Sequence, residues 1–280
     1  MVRGIVLYVS DRERALEKTA NYQSVTFMQL ENVRAIVTGA ASGLGRQFTL
    51  ALAGAGAAVA AGDIDVNGLE RIKVEAEKLP GKIVLKRLDV SHETSVVAFI
   101  EEMSEQLGGV NVLVNNAGIL RDGLLAKDEE GWIKKLPTAL WRQVIDVNLT
   151  GPYLMAREVV ADILKRGIKE SVIVNISSIS RFGNPGQSNY AASKAGLDAT
   201  TRTWALELAT SGVRVGGIAP GLVDTPILKN ISDESLKELL AGIPLRRVGR
   251  PEEIWLALKF IIECDYFTGR VIEVDGGSNF

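Results

Sequence analysis

The sequence contains a single cysteine, Cys264, and a single histidine, His92, among its 280 residues. One cysteine forms neither an intrachain disulfide nor a cysteine zinc site, and one histidine argues against His-clustered metals and a Ser-His-Asp hydrolase. We therefore predict no metal site. His92 follows Asp89-Val90-Ser91 at an expected helix start, so we interpret it as a solvated or capping residue. The low cysteine content fits a reducing cytoplasm.

Long apolar runs and a strong excess of either charge are also absent. No stretch reaches the roughly 20 apolar residues that span a bilayer. The formal net charge is −2 and the isoelectric point is about 5.7, which gives no electrostatic basis for binding nucleic acid or an anionic membrane. The content of 46% apolar and 24% charged residues is typical of a globular protein. We expect a cytoplasmic protein without such partners.

The first 27 residues differ in pattern from the rest of the chain. A short apolar run, 5–9, is followed by Asp11-Arg12-Glu13-Arg14, which does not match a signal peptide. We predict an N-terminal extension over 1–27, disordered or non-native, with Met28 as an alternative start. The functional alternative is an added strand or a subunit contact.

From residue 33 onward, short apolar runs alternate with amphipathic segments of helical length. Short strands that are almost entirely apolar are typical of a parallel sheet covered by helices on both faces. The pattern predicts an α/β fold with a doubly wound, seven-stranded parallel sheet in a single domain, 28–280. The predicted strands are 33–38, 57–62, 83–88, 110–114, 172–176, 213–218 and 270–274. The predicted helices are 43–53, 66–79, 93–107, 140–166, 188–210 and 251–262.

Two connections, 118–148 and 220–244, are longer than a minimal crossover needs. Both follow strands, so they should emerge at the carboxyl edge of the sheet, where ligands bind in open α/β folds. The second connection contains apolar residues in a helical pattern and predicts a lid at about 222–245. Subunit packing is the alternative.

The first predicted strand runs directly into Gly39-Ala40-Ala41-Ser42-Gly43-Leu44-Gly45. A strand, a glycine turn and a helix start place backbone N–H groups and a helix N-terminus where they bind a pyrophosphate. Because this loop opens the first of several βα units, it predicts a dinucleotide site.

Asp63 follows the second predicted strand and lies 18 positions beyond Gly45. A carboxylate near this offset accepts hydrogen bonds from the adenosine ribose and repels a 2′-phosphate. No Arg or Lys flanks Asp63 or lies inside the glycine loop. The sequence therefore favours NAD(H) over NADP(H), with a simple turn residue as the alternative reading of Asp63.

Tyr190 precedes Lys194 by four positions in a predicted helix. Side chains at i and i+4 share a helix face, with Cβ atoms roughly 5–6 Å apart. A lysine ammonium there favours the phenolate, so we expect the pKa of Tyr190 to fall below its ordinary value of about 10. The pair is a candidate acid/base.

The glycine loop, Asn115-Asn116-Ala117-Gly118 and the Tyr190/Lys194 pair together resemble the short-chain dehydrogenase/reductase family, from about residue 30 to the C-terminus. Further matching motifs are Asp89-Val90, Asp146-Val147-Asn148, Asn175-Ile176-Ser177-Ser178, Pro220-Gly221-Leu222-Val223-Asp224-Thr225 and Asp275-Gly276-Gly277. Within the family, 183–190 and 248–254 are most similar to 3-oxoacyl-[acyl-carrier-protein] reductases and their NAD-linked secondary-alcohol relatives. The resemblance implies a Rossmann fold.

The resemblance also implies a catalytic set of Asn148, Ser178, Tyr190 and Lys194. Tyr190 would protonate the developing alkoxide during ketone reduction, and Lys194 would lower its pKa and bind the nicotinamide ribose. Asn148 would hold a water in a proton relay toward Lys194. A serine hydroxyl would polarise the substrate carbonyl.

The position of that serine is open. Counting back from Tyr190 by the family's usual separation gives Ser177, whereas aligning the strand 172–176 gives Ser178. We favour Ser178 because the length difference then falls in the loop 179–186, and deletions are easier in loops than in strands.

The resemblance further implies the residues that bind the cofactor. We expect Asp89 and Val90 near adenine, Asn116-Ala117-Gly118 near its ribose, and the segment from Pro220 to Thr225 at the nicotinamide. Asn115 and Asn116 have a structural alternative, in which they tie adjacent strand ends together. The complete predicted set is Gly39, Ser42, Gly43, Leu44, Gly45, Asp63, Asp89, Val90, Asn116, Ala117, Gly118, Tyr190, Lys194, Pro220, Gly221, Val223 and Thr225.

The implied function is an NAD(H)-dependent oxidoreductase that interconverts a ketone and a secondary alcohol, with 3-oxoacyl thioesters among the candidate substrates. A cyclic or aryl secondary alcohol is the alternative, and a non-catalytic NAD-binding sensor is a further one. Acyl-carrier-protein reductases of the family usually favour NADP(H) and bind their carrier through bases at the ends of two long helices. Here one helix offers Lys165, Arg166 and Lys169, but the other ends in Ala209-Thr210-Ser211-Gly212, which argues against a carrier-protein partner. Family members assemble as tetramers, so we expect a homotetramer.

Overall fold

The structure is a computed structural model that describes residues 27–226, 228 and 233–278. The predicted N-terminal extension, apart from Phe27, lies outside the described residues. The strands are β1 (Arg34–Thr38), β2 (Ala58–Asp63), β3 (Ile83–Arg87), β4 (Val112–Asn115), β5 (Ala126–Glu129), β6 (Trp132–Lys135), β7 (Ser171–Ile176), β8 (Val213–Pro220) and β9 (Val271–Val274). The helices are α1 (Gly43–Gly54), α2 (Val66–Ala76), α3 (Glu93–Leu107), α4 (Thr138–Ile145), α5 (Gly151–Arg166), α6 (Ser188–Leu208), α7 (Asp233–Ala241) and α8 (Pro251–Glu263).

Seven strands form one parallel sheet in the order β3-β2-β1-β4-β7-β8-β9. The chain builds outward from β1 to β3 and then returns to place β4 on the other side of β1. This reversal opens a crevice at the carboxyl ends of β1 and β4, where open α/β sheets bind ligands. The doubly wound, single-domain Rossmann fold expected from the sequence is confirmed.

Alternation along the buried strands divides the core into two layers. In β1, Ala35 and Val37 join a cluster that includes Phe48 of α1 and Leu258 of α8. Ile36 points to the opposite face and joins Phe99 of α3 and Met155 of α5 in the second cluster. Because both faces of the sheet are covered, its strands are apolar along nearly their whole length.

An antiparallel hairpin of β5 and β6 lies in the long connection after β4 and was not predicted. Its turn is Glu130-Gly131, and both residues have positive φ angles, 54° and 89°. Positive φ at both central residues is the geometry that two-residue hairpin turns favour. All eight strand residues are exposed and several are charged, so no apolar alternation marked these strands in the sequence.

The predicted helix 140–166 is interrupted by a π-helical turn, Asp146–Thr150, which joins α4 to α5. The helix α7 lies inside the segment predicted as a lid. That this segment moves as a lid stays a prediction. Among the described residues, no helix combines the length and apolar character that crossing a bilayer requires.

Candidate active site

A cavity of about 450 Å³ opens at the carboxyl ends of the central strands. All the predicted cofactor-binding residues except Gly45 line it, together with Ser177 and Ser178. Apolar side chains that were not predicted complete the lining, among them Ile64, Leu120 and Leu228. The cavity therefore brings together segments that are up to about 190 residues apart in the sequence.

The glycine loop adopts a backbone conformation and a close packing that require glycine at several positions. Gly39 and Gly43 have positive φ angles, 65° and 52°, which glycine adopts without strain. A Cβ on Gly39 would lie 2.8 Å from the Cα of Ala117. One on Gly45 would lie 2.0 Å from the carbonyl oxygen of Gly39, so Gly45 is required for packing between the loop and α1. The backbone at the N-terminus of α1 thus borders the cavity, as a pyrophosphate site requires.

Thr38 at the end of β1 links the glycine loop to the end of β4. Its hydroxyl accepts hydrogen bonds from the backbone N–H groups of Asn116 and Ala117, each at 3.0 Å. The side-chain amide of Asn116 donates to the carbonyl oxygens of Thr38, at 2.9 Å, and Gly39, at 3.2 Å. Asn116 therefore ties two strand ends together while it lines the cavity.

Asn115 makes the same kind of link deeper in the sheet. Its amide donates to Asn175 of β7 at 2.9 Å, and the amide of Asn175 donates to Thr201 of α6 at 2.9 Å. Both asparagines are buried, and neither lines the cavity. Asn115 therefore fits the alternative interpretation, in which it ties adjacent strands together.

Asp63 at the end of β2 contacts the glycine loop directly. Its carboxylate accepts from the backbone N–H of Ala41 at 2.9 Å and from that of Asp65 at 2.9 Å. Asp63 therefore places a negative charge on the cavity wall beside the loop. Arg71 is paired with Asp65 at 3.5 Å, and Arg46 is paired with Glu75.

Asp89 and Val90 follow β3, the strand next to β2, and also line the cavity. The Asp89 carboxylate accepts from the hydroxyl of Ser91 at 2.6 Å and lies 3.2 Å from Nδ1 of His92. Burial raises the pKa of Asp89, but its bonds with Ser91 and His92 outweigh burial and lower it. His92 precedes α3 as its N-cap residue without a capping side-chain bond, so its side chain partners Asp89 instead.

The segment after β8 closes the cavity from the far side. Pro220, Gly221, Val223 and Thr225 all line it. Val223 forms a parallel bridge with Gly249, and the N–H of Asp224 donates to the carbonyl of Gly249 at 2.9 Å. A Cβ on Gly43 would lie 3.7 Å from the side chain of Thr225, so this segment lies close to the glycine loop.

Tyr190 lies in the first turn of α6 and faces Ser178, which follows β7. Burial raises the pKa of Tyr190, a hydrogen bond with Ser178 lowers it, and the charge of Asp122 raises it. The net shift is upward because burial outweighs the bond with Ser178, so the lowering expected from Lys194 is not found. The hydroxyl of Ser178 also accepts from the N–H of Ser180 at 3.1 Å, which fixes its orientation.

The two candidate serines point to different partners. Ser177 donates to the carbonyl oxygen of Lys194 at 3.4 Å, whereas Ser178 lies close enough to the Tyr190 side chain to lower its pKa. Both are buried and both line the cavity. Of the two serines, Ser178 is the one that faces Tyr190, and its role in binding a substrate oxygen stays a prediction.

Lys194 is buried, and its Nζ donates to the carbonyl oxygen of Ile176 at 2.7 Å. The same nitrogen lies 5.5 Å from the centre of the Tyr190 ring. Burial lowers the pKa of Lys194 to about 8, and the charge of Asp198 raises it. The ammonium is therefore fixed between the end of β7 and Tyr190.

Asn148 lies in the π-helical turn and is fully buried outside the cavity lining. Its side chain accepts from the N–H of Ile119 at 2.8 Å and donates to the carbonyl of the same residue at 3.0 Å. A Cβ on Gly118 would lie 3.4 Å from Oδ1 of Asn148 and 3.7 Å from Nζ of Lys194. Asn148 thus fixes the chain after β4 close to Lys194, and the proposed water relay stays a prediction.

Sequence reasoning missed several groups around the site. Ile119 bonds Asn148 through its backbone, and Asp122 accepts from Gln187 at 3.1 Å beside Tyr190. Asp198 and Arg181 form an ion pair at 3.0 Å near Lys194. The spacing of four between Lys194 and Asp198 could have indicated that Asp198 lies on the same helix face as the lysine. The backbone hydrogen bond of Ile119 leaves no signal in the sequence.

Comparison with known proteins identifies the family of the chain. The family model described as Enoyl-(Acyl carrier protein) reductase matches residues 39–279. A 3-oxoacyl-[acyl-carrier-protein] reductase of Thermotoga maritima is 42% identical over 253 residues, covering 89% of this chain and 99% of the relative. The enzyme of the same description from Escherichia coli is 35% identical over 255 residues, covering 89% and 98%.

A solved structure of a short-chain type dehydrogenase/reductase from Mycobacterium marinum superposes with a TM-score of 0.82 at 30% identity, covering 90% of this chain and 97% of that one. Fold, cavity and relatives agree on a nicotinamide-dependent oxidoreductase. The chain belongs to the short-chain dehydrogenase/reductase family.

Proposed function

We propose that this protein is an NAD(H)-dependent reductase that converts a 3-oxoacyl thioester to the 3-hydroxyacyl thioester and catalyses the reverse oxidation. The observation that carries the proposal is the convergence of Ser178, Tyr190 and Lys194 on one wall of the cavity that the glycine loop also lines. Relatives described as 3-oxoacyl-[acyl-carrier-protein] reductases support the substrate class.

Tyr190 is the proposed proton donor to the substrate oxygen. Its pKa is raised by burial, so it carries its proton at neutral pH. In ketone reduction the phenol donates this proton as negative charge develops on the carbonyl oxygen. Ser178 supplies a second hydrogen bond to the same oxygen and so polarises the carbonyl before transfer.

Lys194 and Asn148 support this proton transfer. The ammonium of Lys194 stabilises negative charge on Tyr190 and on the substrate oxygen, because a buried cation acts strongly in a site that excludes water. Asn148 fixes the backbone at Ile119, and we propose that it also positions a water that returns protons toward Lys194.

The residues present fit a bound dinucleotide. Glycines with positive φ leave the loop backbone open at the N-terminus of α1, where a pyrophosphate binds. When bound, the nicotinamide supplies the hydride for reduction. The carboxylate of Asp63 on the cavity wall favours a free ribose hydroxyl over a 2′-phosphate, which supports NAD(H) rather than NADP(H).

A secondary alcohol of moderate apolar character is the second candidate substrate. Ile119, Leu120 and Leu228 line the same cavity as the proposed reacting groups, and such side chains accept a ring as readily as an acyl chain. This candidate needs no carrier protein.

A carrier-protein partner has limited support. Arg166, one of the bases at the end of α5, is paired with Asp162 at 2.8 Å and Glu105 at 3.3 Å. The segment after α6, Ala209–Ser211, contributes no base. A coenzyme A thioester is therefore our preferred form of the substrate.

We also propose a homotetramer, because α5 and α6 leave Tyr153, Leu164 and Leu206 exposed.

The proposal is tested by a substrate panel of acetoacetyl thioesters, cyclic ketones and aryl ketones, each with NADH and with NADPH. We expect turnover of an acetoacetyl thioester with NADH. Tyr190→Phe should abolish turnover but leave NADH binding, measured by fluorescence, within about threefold. Turnover by this variant at the wild-type rate would exclude the mechanism, and activity only on cyclic or aryl ketones would establish the second candidate.

A further inference from the structure

Tyr190, Lys194 and Asp198 follow one another at intervals of four residues along α6. Side chains at this spacing lie on one face of a helix. Tyr190 and Lys194 line the cavity, whereas Asp198 lies one helical turn beyond the lysine and outside the lining. The helix therefore carries a carboxylate one turn from the buried lysine and outside the cavity that holds the proposed reacting atoms.

Arg181 holds this carboxylate from outside α6. Its Nη1 lies 3.0 Å from Oδ2 of Asp198, and its Nη2 donates to Glu273 of β9 at 2.5 Å. The guanidinium also lies over the ring of Phe182, 4.7 Å from the ring centre. The side chains of Arg181 and Asp198 are only 9% and 21% exposed. Charges this far from water interact more strongly than a surface pair.

Asp198 acts on Lys194 in the direction opposite to burial. Burial lowers the pKa of Lys194 to about 8, and the negative charge of Asp198 raises it. The pKa of Asp198 itself is raised, because burial outweighs the lowering by Ser177 and by the cations Arg181, Lys194 and Arg202. The buried ammonium and the partly buried carboxylate thus favour each other's ionised forms.

The other charged groups around this face of α6 act on Asp198 or on Tyr190. Arg202 comes from the next turn of α6, and Glu273 of β9 reaches Asp198 only through Arg181. Asp122, in the loop after β4, acts on Tyr190. Among the described residues, Asp198 is the charged group whose effect on the pKa of Lys194 is resolved.

We propose that Asp198 is a positioning residue for the reaction: its carboxylate keeps Lys194 in the charged form beside Tyr190, and Arg181 holds that carboxylate in place. The inference rests on the proposed function, because Asp198 acts only through Lys194. An ion pair with a purely structural role would stabilise the fold without changing the titration of Lys194.

The first test measures the titration of Lys194 in the absence of substrate. A small amine-reactive reagent is applied across a pH series, and the labelling of Lys194 is quantified by mass spectrometry. We expect a midpoint near pH 8 in the wild-type protein. In Asp198→Asn the midpoint should fall by roughly one pH unit, and Asp198→Glu, which keeps the charge, should restore it. This readout stays valid if the substrate assignment fails.

The second test follows ketone reduction in the same variants. With a midpoint about one unit lower, the charged fraction of Lys194 at pH 8 falls roughly fivefold, whereas at pH 6 it changes little. The rate of Asp198→Asn relative to wild type should therefore fall about fivefold between pH 6 and pH 8. A purely structural defect would lower the rate by the same factor at both values.

Asp162→Asn is the matched control, because Asp162 also pairs with an arginine and a serine, Arg166 at 2.8 Å and Ser104 at 2.5 Å. It lies on α5 outside the cavity lining. Circular dichroism checks folding, and Asp198→Ser serves as a second neutral variant if Asp198→Asn does not fold. The proposal is overturned if the neutral variants keep the wild-type labelling midpoint, or if Asp162→Asn shifts it equally.

Discussion

The ammonium nitrogen of Lys194 donates a 2.7 Å hydrogen bond to the carbonyl oxygen of Ile176, the last residue of β7. This bond joins α6 to the strand that leads directly into Ser177 and Ser178. The lysine is thereby fixed in a buried site, where its pKa is lowered to about 8. The charge of Lys194 is thus sensitive to pH near 8.

We predict that ketone reduction declines as the pH rises through about 8. Lys194 is charged below its pKa and neutral above it, so the cation beside Tyr190 is lost on the alkaline side. Values of kcat/KM with NADH between about pH 6 and pH 10 would show this decline. Lys194→Met should react slowly at every pH and lack the decline near pH 8. A wild-type rate that stays constant over this range would contradict the prediction.

The two serines should differ in their effect on turnover. Ser178→Ala removes a hydroxyl that bonds Tyr190, so we expect kcat to fall by roughly 100-fold or more, as for the loss of other donors to a developing oxyanion. Ser177→Ala removes a contact with the backbone of Lys194, and we expect a loss of less than about tenfold. Steady-state kinetics on both variants decides the assignment. A larger loss for Ser177→Ala would reverse it.

The fold was predictable from the sequence because each buried strand is a continuous apolar run that ends in a polar or glycine-containing motif. The apolar run of β1 leads into the glycine loop, and β4 leads into Asn115-Asn116. All seven strands of the sheet lie within two residues of their predicted bounds. Parallel topology then brings their carboxyl ends together, so the cavity walls follow from the order of the motifs.

The remaining features depend on contacts that leave no periodic pattern. The hairpin of β5 and β6 is exposed on every residue, and the π-helical turn at Asn148 is held by bonds to the backbone of Ile119. The upward shift in the pKa of Tyr190 arises from burial, which the spacing of Tyr190 and Lys194 does not show. Predicting such effects requires the three-dimensional structure.

Assembly is predicted to involve the exposed apolar residues of α5 and α6. Leu164 is 55% exposed and Leu206 is 83% exposed, so a single chain leaves both in water. Burial of such surfaces in a symmetric oligomer would be favourable. Sedimentation velocity at micromolar concentration should give a species of four 30.2 kDa chains. A monomer under these conditions would contradict the proposed tetramer.

Cofactor preference should depend on the charge of Asp63. Asp63→Asn keeps an oxygen that accepts from Ala41 but removes the negative charge that repels a 2′-phosphate. We expect the ratio of kcat/KM for NADH over NADPH to fall by roughly tenfold or more. Asp65→Asn, at an exposed carboxylate outside the cavity lining, is the control and should leave the ratio nearly unchanged. An unchanged ratio in Asp63→Asn would remove the case for NAD(H).

Two glycines of α1 should respond oppositely to the same substitution. A Cβ on Gly45 would lie 2.0 Å from the carbonyl oxygen of Gly39 and 2.6 Å from Nδ2 of Asn116, so Gly45→Ala forces the glycine loop away from the end of β4. We expect it to destabilise the fold by roughly 3 kcal/mol and to weaken NADH binding. Gly54→Ala meets no atom closer than Leu79 Cδ2 at 3.9 Å, and it should be neutral or stabilise by about 0.5 kcal/mol. Urea unfolding of both variants, with NADH titrations, measures the difference. Equal stabilities would show that the loop tolerates a side chain at Gly45.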